Sequence, residues 1–138
     1  MELSKFVLSD EAVNIIDNGT WVGDLPGAGD AEFFVCGFES DEAVKARTNY
    51  EADARLKNKG APLTAEQHRE VFNKVLAEVC LKDWRGWTVN GEALPYDKEK
   101  AIKWITSRNG REFANLVFMA AKRVDTQANE LAEALLKN

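Results

Sequence analysis

Between Asp83 and Trp104 the chain reads DWRGWTVNGEALPYDKEKAIKW and carries three of its four tryptophans. No other segment constrains the fold so tightly. Asn90-Gly91 stands between Trp87-Thr88-Val89 and Glu92-Ala93-Leu94, the pairing that favours a two-residue type I′ hairpin. Pro95 and Tyr96 then lead into Asp97, an N-cap for a helix opening Lys98-Glu99-Lys100-Ala101-Ile102. The block predicts a helix end, a small hairpin and a helix start, around which Trp84, Trp87 and Trp104 can meet. None of this is reactive chemistry; the block is built to pack or to bind.

The rest of the chain predicts an α+β fold, mainly α. Ser9 before Asp10-Glu11-Ala12-Val13 caps a short helix that Asn18-Gly19 ends. Thr20-Trp21-Val22 and Glu32-Phe33-Phe34-Val35-Cys36 read as strands. The turn-rich stretch Gly23 to Asp30 separates them and predicts an antiparallel hairpin. Ser40-Asp41-Glu42 opens a second helix running to Lys59 and stopping at Gly60, with so little apolar content that it should lie on the surface. Thr64 and Gln67 stand at capping-box spacing at the head of a third helix. There Val71, Phe72, Val75, Leu76, Val79 and Cys80 mark one buried face. A fourth helix spans Lys98 to about Ser107, and Asn109-Gly110 breaks it. The expected organisation is one domain over 1–138, with an N-terminal hairpin region of about 1–38 and a helical region of about 39–138.

Composition excludes more than it assigns. A chain of 138 residues buries about 68% of its unfolded surface, enough for a core. A net charge of −5 argues against a nucleic-acid binder, which needs a basic face to displace counterions. Lys45, Arg47, Arg55, Lys57 and Lys59 are interleaved with acids and read as a solvated helix face. No apolar run reaches a membrane span, and the N-terminus has no signal-peptide pattern. A cytoplasmic location follows as the expectation, with Cys36 and Cys80 as reduced thiols.

The search for catalysis finds little. His68-Arg69-Glu70 has the H-x-E of zinc deaminases without the P-C-x-x-C that supplies their thiolates. One His and two scattered Cys fall short of a familiar metal site. Gly27-Ala28-Gly29 completes no phosphate-loop motif, and Cys36 among Phe33, Phe34 and Phe38 reads as a buried structural thiol. The expectation is a non-enzyme with no cofactor and no metal.

Binding features are better marked. Phe113, Val117, Ala120, Val124, Ala128, Leu131 and Leu135 recur by three and four, predicting one long C-terminal helix. A helix of about 26 residues would extend about 39 Å. Its far end, Ala128 to Leu136, would overhang a domain this small and offer a partner site or a self-association site. Trp84, Trp87 and Trp104 are read as core or as interface anchors, and the sequence leaves both open.

Two segments resemble the tail assembly chaperones of long-tailed bacteriophages. One is the Trp-Gly, hairpin and Leu94-Pro95-Tyr96 run. The other is Asn18-Gly19-Thr20-Trp21-Val22 with Leu25-Pro26-Gly27 and Glu32 to Gly37. The position before Gly37, often basic in that family, is Cys36 here. The resemblance implies a non-catalytic factor of the host cytoplasm, absent from the mature virion. Such a factor coats the tape measure protein, keeps it soluble and presents it to tail tube protein. On that reading the contact residues are Trp87, Phe113, Val117, Val124, Leu131 and Leu135. The family also makes longer products by ribosomal frameshifting, and Leu136-Lys137-Asn138 can be encoded by a slippery A AAA AAC. The rival expectations are a generic adaptor using its amphipathic C-terminal helix, and a small enzyme with carboxylates in a cleft.

Overall fold

The computed structural model describes residues 1–137; Asn138, the last residue of the expected slippery run, lies outside them. After a single 3-10 turn at Leu3–Phe6, α1 (Asp10–Asn18) begins where Ser9 Oγ accepts the Ala12 N–H. Gly19 ends it with φ +97, and a Cβ there would meet the Phe34 ring at 2.8 Å, so only glycine fits this close approach. β1 (Thr20–Val22) and β2 (Glu32–Val35) pair antiparallel with Trp21 opposite Phe34. This hairpin is the one the turn-rich stretch predicts.

The sheet has a third strand that the sequence reading does not contain. β3 (Leu81–Arg85) pairs antiparallel with the other edge of β2, placing Trp84 opposite Phe33. Asp83-Trp84, expected at a helix end, is therefore extended. Leu81 and Trp84 are buried while Lys82, Asp83 and Arg85 are exposed, and the pairing is irregular between Phe34 and Val35. Period-two alternation is lost, so the strand carries no local signature. Residues 81–85, expected within the helical region, thus complete the N-terminal sheet.

The helices begin as their caps predict. α2 (Asp41–Lys57) starts at Ser40, whose Oγ accepts the Ala43 N–H, and Ala43 is its one buried residue. α3 (Ala65–Val75) starts with a complete capping box between Thr64 and Gln67. It runs into one π-helical turn, Leu76–Cys80, before β3. Asn90 (φ 52) and Gly91 (φ 83) turn the short hairpin of β4 (Thr88–Val89) and β5 (Glu92–Ala93), as a type I′ turn requires. α4 (Lys98–Thr106) starts where the Asp97 carboxylate accepts the Lys100 N–H.

The C-terminal helix is two helices, which corrects the expected overhang. α5 (Arg111–Thr126) stops at Gln127 (φ −122, ψ 24), and α6 (Ala128–Lys137) departs on a new axis to pack against α1. Asp125 supplies the physical reason. Its carboxylate accepts the Phe38 N–H at 2.9 Å and the Glu39 N–H at 3.1 Å, tying the end of α5 to the loop after β2. Asn129 then holds the N-terminal segment: Oδ1 accepts the Ser9 N–H at 3.0 Å and Nδ2 donates to the Val7 carbonyl at 3.2 Å. One apolar core runs from α1 through the sheet to α6.

Candidate protein-binding surfaces

The tryptophans divide by burial. Trp84 is in the core, and its indole Nε1 donates to the Leu94 carbonyl at 2.9 Å. Trp87 and Trp104 are half-buried. Trp87 stacks on Phe33 at 5.0 Å and donates to the Glu32 carbonyl, while Trp104 stacks on Trp84 at 6.3 Å. Phe113 stands edge-on to Phe33, Trp84, Trp87 and Trp104, with ring separations of 5.5 to 6.0 Å. The Trp block is thus a packing device: edge-to-face geometry aims the positive ring edge at a negative face. A second aromatic cluster joins Phe38, Phe72 and Phe118, with Arg47 over the Phe38 ring at 4.4 Å.

The six residues expected to touch a partner do not form one stripe. Val117 and Val124 are fully buried between α5 and the core, where no docked protein can reach them. Phe113 and Trp87 belong to the aromatic cluster and show only part of their rings. Leu131 is half-buried where α6 faces the core, and Leu135 alone is well exposed. The expected stripe assumed one straight helix; its α5 part packs into the core, and the break at Gln127 redirects only Leu131 and Leu135.

Exposed apolar side chains are scattered singly at Val44, Leu56, Val89 and Met119, and the others lie on three neighbouring elements. Leu3 (72%), Phe6 (71%), Val7 and Leu8 project from the N-terminal segment, Val13 from α1, and Leu135 and Leu136 (76%) from the last turn of α6. Leu8 and Val13 flank the Ser9 cap at the positions of a hydrophobic staple. Phe6, Val7 and Leu8 were legible as an apolar run before a cap, a signal the C-terminal periodicity overshadowed. Large apolar side chains gathered on packed elements and left in water mark interaction surfaces.

A groove of about 840 Å³ opens between α3, α4 and α5, with Phe72, Ile102 and Ala114 among its apolar lining. Arg69, Arg108 and Arg111 line it too, as do Glu66 and Glu70, so its charge is mixed. His68 is exposed on the first turn of α3. Among the described residues no group of three His, Cys, Asp or Glu could hold a metal, and no helix is long and apolar enough to cross a membrane.

Asp125 and Tyr50 are among the ionisable groups displaced by their surroundings. Burial pushes the Asp125 carboxyl above the ordinary aspartate value, against the Glu39 and Phe38 N–H groups that favour its anion. Tyr50 donates to the Glu78 carboxylate at 2.6 Å, and that bond, with burial, raises the phenol to about 12. Asp125 ties the end of α5 to the loop after β2, and Tyr50 ties α2 to the π-helical turn.

Comparison with known proteins gives one match. No curated protein and no solved structure matches the chain. Residues 38–138, from the loop before α2 through α6, match the family of the YdaY prophage protein. The match leaves outside it the N-terminal segment, α1, β1 and β2. It spans well over half the chain, which therefore belongs to the YdaY prophage protein family and is phage-associated.

Proposed function

We propose that the protein is a tail assembly chaperone, a non-catalytic factor that binds the tape measure protein, keeps it soluble and helps recruit tail tube protein. One observation carries the reading: the exposed apolar side chains of the N-terminal segment, α1 and the end of α6. A tape measure protein is a long helical chain with apolar stripes. Partner side chains such as Phe6, Leu135 and Leu136 would cover such stripes, and a net charge of −5 would add repulsion that resists aggregation. Membership of a prophage family supports a phage setting, and the tail role rests on the resemblance of the Trp block and the N-terminal hairpin. On this reading the protein acts in the host cytoplasm and is absent from the virion. A longer frameshifted product belongs to the same proposal, and the codons for Leu136-Lys137 test it.

The test is co-expression with a candidate tape measure protein, followed by size-exclusion chromatography with light scattering. The expected result is a soluble complex that the double variant Leu135→Asp, Leu136→Asp fails to form. A tape measure protein left insoluble beside an unbound small protein would overturn the proposal. The second reading is a protein-binding adaptor, favoured by the open α3–α4–α5 groove with its Phe72 and Ile102 lining. Binding of a non-tail phage or host protein, lost on Ile102→Asp and kept in the Leu135, Leu136 variant, would select it.

A further inference from the structure

Neither cysteine belongs to the binding surfaces, yet the fold sets them side by side. Cys36 follows β2 and Cys80 closes the π-helical turn before β3. The Cys36 N–H donates to the Cys80 carbonyl at 3.0 Å, extending the strand pairing one residue beyond Val35 and Leu81. The thiols are crossed. Cys36 Sγ donates to the Val79 carbonyl at 3.6 Å, and Cys80 Sγ donates to the Gly37 carbonyl at 3.8 Å. Each sulfur is thus directed at the backbone beside the other cysteine. Both are reduced and fully buried.

Directly opposed residues in an antiparallel pair place their Cα atoms about 5.5 Å apart. A disulfide spans Cα separations of roughly 4.4–6.8 Å, so closing the bond needs little backbone movement. The two sulfurs also differ in character. The neighbouring Cys80 thiol, then the Ser40 hydroxyl, lower Cys36 against its burial. The neighbouring Cys36 sulfur, with burial, pushes Cys80 up. Cys36 is the more readily ionised of the two.

The geometry points to a dithiol modification site, Cys36 with Cys80, that a peroxide oxidises to an intramolecular disulfide. The Cys36 thiolate attacks a peroxide oxygen; the O–O bond breaks, hydroxide leaves, and the sulfur becomes a sulfenic acid. The Cys80 sulfur then attacks the Cys36 sulfur. The S–S bond forms, the S–O bond breaks, and the Cys80 proton leaves with the hydroxyl group as water. In sum, two thiols and one hydrogen peroxide give one disulfide and two waters. The new bond ties the end of the central strand β2 to the entrance of β3 and closes a loop containing α2 and α3. Such a tie constrains the unfolded chain and raises the unfolding midpoint.

The experiment treats the purified full chain with hydrogen peroxide, alkylates remaining thiols in denaturant, and reads intact mass and the peptide map. The expected result is loss of two hydrogens and a linked peptide pair containing Cys36 and Cys80. Dithiothreitol should restore the free thiols, and the oxidised form should unfold at a higher temperature. In Cys80→Ala and in Cys36→Ala the linked peptide pair and the rise in unfolding temperature should both be absent. Three wild-type outcomes would each overturn the proposal: two alkylated thiols after peroxide that oxidises the same chain in urea, Cys36 driven to sulfinic acid with Cys80 still free, or disulfides only between chains.

Discussion

Phe33 and Trp84 face each other across the β2–β3 pairing, and both rings are met edge-on by Phe113, at 5.5 and 6.0 Å. The sheet and the N-terminal end of α5 are joined through that one ring. Removing it leaves four aromatic neighbours around a void that their fixed backbones cannot close. Phe113→Ala is expected to cost about 3 kcal/mol, the lower part of the range for buried phenylalanines because Phe113 is only half-buried. Urea denaturation followed by tryptophan fluorescence measures it. A loss below about 1 kcal/mol, the scale of an ordinary point substitution, would mean the cluster is not what couples α5 to the sheet.

The N-terminal segment is fastened at one side chain. Asn129 accepts from Ser9 and donates to Val7, and no residue of the first 3-10 turn is buried. Asn129→Ala should therefore cost only about 1 kcal/mol in global stability. Its larger effect should be local: faster amide exchange and protease cleavage within residues 1–9, with α3 to α5 unchanged. Hydrogen exchange with mass spectrometry separates the two. Unaltered exchange before Ser9 would show that packing of α1 on α6 holds the segment without this residue.

What could be read from the sequence follows the range of the forces involved. Ser9, Ser40, Thr64 with Gln67, and Asp97 each cap a helix through a bond to a backbone three residues on, so the signal is local and complete. Asn90-Gly91 is local in the same way. β3 was not legible because its partner is β2, far back in the chain, and an irregular register removes the alternation. The break at Gln127 was not legible because neither Gly nor Pro marks it. It follows from Asp125 reaching the Phe38 and Glu39 amides, a contact that exists only once α5 lies against the β2 loop. The C-terminal periodicity is read in the same way: the three-and-four spacing of Val117 and Val124 is that of a buried face, and Leu135 continues it across the break.

Asp125 also predicts a pH signature. Burial is the largest influence on its carboxyl and raises its folded pKa, Glu39 adds to the rise, and the two amides and Lys122 oppose it. Between the ordinary aspartate value and that raised value, the native state binds more protons than the unfolded chain. Stability contributed by this residue therefore falls as pH rises through the window and grows as pH is lowered through it. Asp125→Asn removes the titration while leaving one acceptor oxygen. The unfolding free energy of the wild type relative to Asp125→Asn should increase as pH drops from neutral to about pH 4. Parallel curves for the two proteins would mean that the native and unfolded states hold this proton equally.

The exposed leucines of α6 separate binding from folding. Leu135 and Leu136 are 58% and 76% exposed on the last turn, so replacing both with Asp removes little buried surface. Exposed substitutions of this kind usually change stability by no more than about 0.5 kcal/mol, and the helix ahead of them stays anchored by Ala128 and Ala132, which are buried. The partner complex is a different matter, because two carboxylates placed in an apolar contact must lose their hydration without gaining an opposite charge. The double variant should keep the wild-type melting temperature within a few degrees and lose co-elution with the tape measure protein. Phe6→Asp should behave alike if the N-terminal segment shares the contact. Variants that fold normally and still bind would move the interface away from this surface and toward the α3–α4–α5 groove.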